Sequence, residues 1–312
     1  MSRVLVTGAS GFVGRHLVRL LGQRGDRVFG TCYPDQPSGQ DGDFKHLDLR
    51  AEADLAEFVR RVQPDWIIHL AAVSNVRQSW EKRAETIETN LLGTSNLFEA
   101  ARRQAPGCRI LFLSSSDVYG ELSGQEKYFK EEDPCRVVNP YAFTKAAGEL
   151  LSRFYVQVEK LDIVIARPFP HTGPGQAADF VFSDWARQVA LIERGGRPPL
   201  IEVGNLALRR DYSDVRDTVR AYVLLMEKGR AGETYNVCSG RAVYLQEVLD
   251  TLLGLTARPV EVRQDPGRLR KTDIPFLAGD GSKIRRETGW SPAIPFCQTL
   301  RDLLDFWREK AA

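Results

Sequence analysis

The chain has little cysteine, and what it has is not arranged to bind anything. Cys32, Cys108, Cys135, Cys238 and Cys297 are odd in number, far apart and never spaced as CxxC. This argues against a disulfide framework or a zinc site, and no metal is expected. No apolar run is long enough to span a bilayer. The opening MSRVLVTGAS has neither the long apolar core nor the small-residue cleavage site of a signal peptide, so a cytoplasmic setting is expected. Charge of one sign is lacking as well: 43 Lys and Arg against 41 Asp and Glu leave a formal net charge of +2. Neither nucleic acid nor a membrane is therefore expected as the main partner. Internal repeats and low-complexity tracts are absent.

What the 312 residues do contain is an ordinary globular balance, 27% charged and 43% hydrophobic, sufficient for one large domain or two unequal ones. Short apolar runs at 3 to 7, 27 to 31, 65 to 72, 109 to 115 and 161 to 167 alternate with helical patterns. A helix is predicted at 12 to 24, and Ile87, Leu91, Phe98 and Ala101 fall on one helical face. Strands joined by crossover helices predict an α/β, Rossmann-type doubly wound parallel sheet, with its ligand site beyond the carboxyl ends of the strands. After Arg167 the texture turns to RPFPHTGPGQ. Helical patterns then follow at 179 to 193, 214 to 228, 245 to 254 and 298 to 310, with a strand at 234 to 239. The expected division is a dinucleotide-binding domain over 1 to 168, to which 211 to 240 returns, and a smaller mixed lobe over 169 to 210 and 241 to 312.

Gly8, Gly11 and Gly14 stand in TGASGFVG, between the first strand and first helix. Glycine is needed where the chain turns tightly, where backbone must approach a pyrophosphate and where helix packs on strand. The end of the second strand usually chooses the cofactor, because a carboxylate there holds the ribose hydroxyls of NAD and repels the extra phosphate of NADP. Here that place falls to Cys32, with no acid and no neighbouring arginine. NADPH and NADH both remain open, with NADPH slightly favoured. Asp48 follows the next apolar segment and either contacts the adenine or caps the helix after it.

Tyr141 and Lys145, in YAFTK, share one face of a helix. A phenol titrates near 10 in isolation, and a nearby ammonium is expected to lower that value so that the pair can move a proton while hydride moves to or from a nicotinamide. In LFLSSSDVYG a strand ends in hydroxyls, one of which can orient the reacting oxygen.

With these elements in place, the chain resembles the extended short-chain dehydrogenases/reductases that modify nucleotide sugars. TGASGFVG, HLAA, SSSDVYG, NPYAFTK, RPF, GPGQ, RRDYSDVRD and YNVCSG carry the likeness along nearly the whole chain. Later segments, FVFSDWARQVALIE and DPGRLRKTDIP among them, most resemble the GDP-4-keto-6-deoxy-mannose reductases and their relatives the GDP-mannose 4,6-dehydratases. The resemblance implies catalytic roles for Ser115, Tyr141 and Lys145. It implies cofactor contacts from Gly8, Ser10, Gly11, Phe12, Val13, Gly14, Cys32, Asp48 and Leu49, and from Leu70, Ala71, Ala72 and Pro168 besides Tyr141 and Lys145. For the sugar nucleotide it implies Ser74, Ser116, Asp117, Arg187 and Asn205, with Arg210 and Arg270 on the diphosphate and Asp273 on the ribose. Guanidinium forks suit phosphates, and a carboxylate accepts from ribose hydroxyls.

Two positions depart from the relatives' pattern. Pro170 stands where they usually carry Asn, and Asp117 where the 4,6-dehydratases carry Glu. Losing one methylene withdraws the carboxylate by roughly 1.5 Å, which disfavours water elimination and leaves ketone reduction intact. His171 lies near this site in sequence, where a loop histidine is more often structural. The expected activity is NAD(P)H-dependent reduction of the 4-keto group of a GDP-6-deoxy-hexose, giving GDP-rhamnose, by a homodimer. The rivals are a 4,6-dehydratase or 4-epimerase with retained cofactor, and a non-catalytic NAD(P)-binding sensor.

Overall fold

The computed structural model describes residues 1–34, 43–121, 126–268 and 274–311. Its centre is a seven-stranded parallel sheet. In spatial order the strands are Thr234–Val237, Asp162–Pro168, Arg109–Leu113, Trp66–His69, Arg3–Thr7, Arg27–Cys32 and Asp43–His46. The order reverses beside the first strand, which is the switch point of a doubly wound sheet. Both faces of the inner strands are covered, so those strands are largely apolar on both sides, unlike the edge strand Asp43–His46. Val4 and Val6 of the first strand face one core layer with Leu17, Leu21 and Tyr222, whereas Leu5 faces the other with Phe58, Phe98 and Phe112. This alternation of period two sets the register, since a slip of one residue would exchange the two layers.

The helices follow the predicted order: Phe12–Gln23, Glu52–Val62, Gly93–Gln104, Pro140–Gln157, Val181–Glu193, Val215–Lys228, Leu245–Leu253 and Phe296–Lys310. Several strands end earlier than the apolar runs suggested. Trp66–His69 stops before Leu70, and Arg109–Leu113 before Ser114. The expected stripe of Ile87, Leu91, Phe98 and Ala101 does not form. A π-helical turn at Glu88–Leu92 adds residues to the turn and rotates what precedes it. Phe98 and Ala101 are fully buried against the sheet, while Ile87 is 39% exposed on the outside.

A smaller lobe packs Phe182, Trp185, Val189, Leu249, Leu252, Leu303 and Leu304 into a separate core. Its strands Leu200–Val203 and Glu261–Gln264 pair in parallel. The second of these is exposed along its length, which is why no alternating pattern marked it. Two exchanges cross the expected division. Tyr128–Phe129, from the first half, forms the edge of a four-stranded sheet with Phe276–Gly279, Arg209–Asp211 and Ala242–Tyr244. In return, Ile284 and Trp290 from the late segment pack into the main core. Among the described residues no helix is long and apolar enough to cross a membrane.

Candidate active site

The glycine turn is defined by atoms it cannot carry. Gly8 has φ +69°, in the left-handed region, and a Cβ there would lie 2.9 Å from the Ala71 amide nitrogen. A Cβ on Gly14 would lie 2.4 Å from the Gly8 carbonyl oxygen. The Thr7 hydroxyl accepts from the Ala71 N–H at 3.2 Å, and the Leu70 N–H donates to the Thr7 carbonyl at 3.2 Å, so segment 70–72 is sewn to the turn. Gly11 is the N-cap of the Phe12–Gln23 helix, with no side-chain cap and no acid in the first turn. Those N–H groups are left for an external anion, as a dinucleotide pyrophosphate requires. Phe12 stacks on His171 with ring centroids 6.3 Å apart, and His16 bonds the Pro174 carbonyl at 2.8 Å. The helix start is thereby joined to the RPFPHTGP loop after Pro168. His171 also bonds the Phe169 carbonyl, and Pro170 accepts from the Ser213 N–H at 3.0 Å.

At the end of the second strand and just after the third, the structure shows how three of the expected cofactor residues sit. Cys32 and Leu49 turn their side chains into the two core layers, so any contact from them runs through backbone. Asp48 caps no helix: the next one starts after Ala51 without a side-chain cap. Its carboxylate is instead gripped by the Arg50 guanidinium at 2.6 to 3.1 Å, and this pairing holds it below the usual range.

The helix that carries Tyr141 and Lys145 begins at Pro140, with the Asn139 side chain accepting from the Ala142 N–H at 2.7 Å. This N-cap and the proline preset the first turn, and Tyr141 and Lys145 follow on one face. Lys145 is buried and donates to the Leu113 carbonyl at 2.7 Å. Desolvation lowers its pKa to about 8. Ser115 caps the turn Ser116–Tyr119, its hydroxyl accepting from the Asp117 N–H at 3.1 Å. The same hydroxyl lies close enough to the Tyr141 phenol to favour its ionised form.

The phenol is not acidified as the spacing suggested. Burial raises the Tyr141 pKa above its ordinary value, the Asp117 charge raises it further, and the Ser115 hydroxyl only partly opposes them. Asp117 is itself pushed up by burial, against the pull of Arg210. Lys145 lies 5.9 Å from the Tyr141 ring centroid, with its ammonium engaged by a carbonyl. The outcome is a phenol that keeps its proton beside a desolvated carboxyl.

Comparison with known proteins bears on this geometry directly. A family profile described as GDP-mannose 4,6 dehydratase matches residues 5–303. The chain belongs to the GDP-mannose 4,6-dehydratase family. It is thus an extended short-chain dehydrogenase/reductase. It is 34% identical over 308 residues to the GDP-6-deoxy-D-mannose reductase of Pseudomonas aeruginosa, covering 99% of this chain and 98% of that one. The dTDP-glucose 4,6-dehydratase of Neisseria meningitidis is 29% identical, with 98% and 93% covered. Among solved structures, RMD from Pseudomonas aeruginosa complexed with NADPH superposes with a TM-score of 0.89 at 34% identity, covering 99% and 100%. The UDP-glucose 4-epimerase of Thermus thermophilus complexed with NAD gives 0.88 at 29%, with 98% of each chain covered.

In this member of the GDP-mannose 4,6-dehydratase family the residues expected at the sugar nucleotide are unevenly gathered. Asp117 and Arg210 interact. Ser116 is buried and Ser74 is exposed. Arg187 pairs with Asp184 at 3.2 Å, and Asn205 closes a turn onto the Ala207 N–H. Arg270 and Asp273 lie outside the described residues. What the motifs did not show is the buried pair beneath the site. Arg167 forks onto Glu149 with both contacts at 2.7 Å, while Ser114 donates to the same carboxylate at 2.6 Å. Arg167 also donates to the Tyr119 hydroxyl at 2.9 Å. One ion pair thus ties the helix of Lys145 to the turn of Ser115. Its only signal in the sequence was a glutamate one helical turn after Lys145 and the arginine opening RPF.

Proposed function

We propose that this enzyme reduces the 4-keto group of GDP-4-keto-6-deoxy-D-mannose to give GDP-D-rhamnose, with Ser115, Tyr141 and Lys145 as its catalytic residues. The Tyr141 phenol, set beside Ser115 and a shortened carboxylate, Asp117, carries the reading. The likeness to a GDP-6-deoxy-D-mannose reductase supports it. A nicotinamide cofactor supplies the hydride. The glycine turn and the uncapped helix start hold its pyrophosphate, and Lys145 its nicotinamide ribose. Ser115 orients the sugar oxygen and Tyr141 gives it a proton. Arg210 and Arg187 face the diphosphate from the smaller lobe, which we divide from the dinucleotide domain near residue 168.

The test supplies GDP-4-keto-6-deoxy-D-mannose anaerobically with NADPH or NADH. Stoichiometric cofactor oxidation and a product two mass units heavier are expected, with no 4-keto product from GDP-mannose alone. Conversion of GDP-mannose without net cofactor consumption would replace the reductase by a dehydratase.

The working form is proposed to be a homodimer in the cytoplasm. The outer face of Pro140–Gln157 and its end expose Phe143, Leu150, Phe154 and Val158, and Ile87 and Leu92 are exposed on the neighbouring segment. Two such faces make a four-helix interface. Light scattering at micromolar concentration should give twice the chain mass, falling to one chain mass in Leu150→Asp/Phe154→Asp.

A further inference from the structure

A strand end without a carboxylate does not by itself choose between NADH and NADPH. The structure sets a guanidinium on the glycine turn that packs against that strand end. The Ala9 N–H donates to the Thr31 carbonyl at 3.0 Å, so the glycine turn lies directly against the end of the second strand. Arg15, immediately after Gly14, is exposed and folds back over the turn, its Nε donating to the Ser10 carbonyl at 2.8 Å. That bond uses one N–H of the five and leaves the two terminal nitrogens, the pair that meets phosphate oxygens.

The surrounding charges favour the same outcome. Asp48 is already paired with Arg50, which also lies 3.5 Å from Glu88. Arg50 is therefore committed, whereas Arg15 enters no ion pair among the described residues. We infer that Arg15 binds the 2′-phosphate of the adenosine half of NADPH and so sets the preference for NADPH over NADH. This rests on the dinucleotide reading of the glycine turn. The phosphate would sit at the mouth of the turn, where Cys32 offers no charge to repel it.

Isothermal titration tests the inference without turnover. The probes are NADPH, NADH, adenosine 2′,5′-bisphosphate and adenosine 5′-monophosphate. The wild-type enzyme should bind each 2′-phosphorylated probe at least about tenfold more tightly than its unphosphorylated counterpart. Arg15→Met should remove most of that ratio while leaving NADH and the monophosphate within about twofold, and Arg15→Lys should keep part of it. Arg19→Met, one helical turn further on and equal in charge change, should leave the ratio alone. An unchanged ratio in Arg15→Met, an equal loss in Arg19→Met, or no ratio in the wild type overturns the assignment. Failure of all four probes to bind would sink the dinucleotide reading, and this inference with it.

Discussion

The glycine turn and the catalytic pocket both present polar groups to a ligand, by opposite means. The turn deletes side chains until backbone N–H groups stand bare, with Gly14 so close to the Gly8 carbonyl that no Cβ fits. The pocket keeps its side chains and draws them away from water, so that the Tyr141 phenol is held protonated and desolvation lowers Lys145 to about 8. A steric device of the first kind is insensitive to pH and intolerant of bulk. An electrostatic device of the second kind tolerates isosteric change but depends on charge. Substitutions should therefore divide between binding and turnover.

The sharpest division is expected from Tyr141→Phe. Removing only the hydroxyl should lower kcat by roughly a thousandfold, within the range for a lost general acid, while the Kd for NADPH stays within about twofold. A variant retaining more than a tenth of wild-type turnover would break the contrast, because the pocket would then not work through its proton. Lys145→Met should damage both turnover and cofactor binding.

At the turn, Gly14→Ala should do the reverse. A methyl 2.4 Å from a backbone oxygen forces the helix off the strand, and the Kd for NADPH should rise about a hundredfold, equivalent to about 2.7 kcal/mol. Turnover at saturating cofactor should fall much less. Calorimetric titration beside saturation kinetics reads both quantities, and a wild-type Kd in this variant would refute the steric account.

A smaller effect comes from His69, which joins the two regions. The Thr94 hydroxyl donates to the Asn90 carbonyl, so it accepts from His69 Nε2–H at 2.9 Å, and the Thr7 hydroxyl donates to Nδ1 at 2.7 Å. The ring is thereby held neutral, and burial lowers its pKa to about 3 from 6.5. The unfolded chain binds this proton more readily than the native one. The ring's contribution to stability is therefore complete above the unfolded value and is lost as pH falls from about 6.5 toward 3. Urea unfolding should show a loss of up to about 1.4 kcal/mol per pH unit in that window. His69→Leu should flatten this slope while lowering stability at pH 7, because Thr7 and Thr94 lose a partner. An equally steep slope in the variant would assign the acid sensitivity elsewhere.

These regions were not equally legible in the sequence. The glycine turn was, because its requirement is local: Gly8, Gly11 and Gly14 announce a tight turn wherever they stand between a strand and a helix. Tyr141 and Lys145 were legible as a pair for the same reason, one helical turn being a local spacing. The state of the phenol was not. It depends on Asp117, 24 positions earlier, and on burial, neither of which spacing reports. That the Cys32 and Leu49 side chains pack into the core was not legible either, because which way a side chain turns is fixed only once the layers around it are known. The stripe through Ile87 and Phe98 failed because a π-turn breaks the regular period that the reading assumed.

By itself, then, the sequence determined the doubly wound sheet, and it marked the glycine turn and the pairing of Tyr141 with Lys145. Each rests on periodicity or on a spacing within one or two turns of chain. Only the tertiary structure decided which charges meet: Arg167 with Glu149, Asp48 with Arg50, Asp117 with Tyr141 and Arg210. Coulomb energy and desolvation depend on distance and burial in three dimensions, and partners such as Asp117 and Arg210, 93 positions apart in the chain, acquire both only when the sheet and the smaller lobe have closed around them.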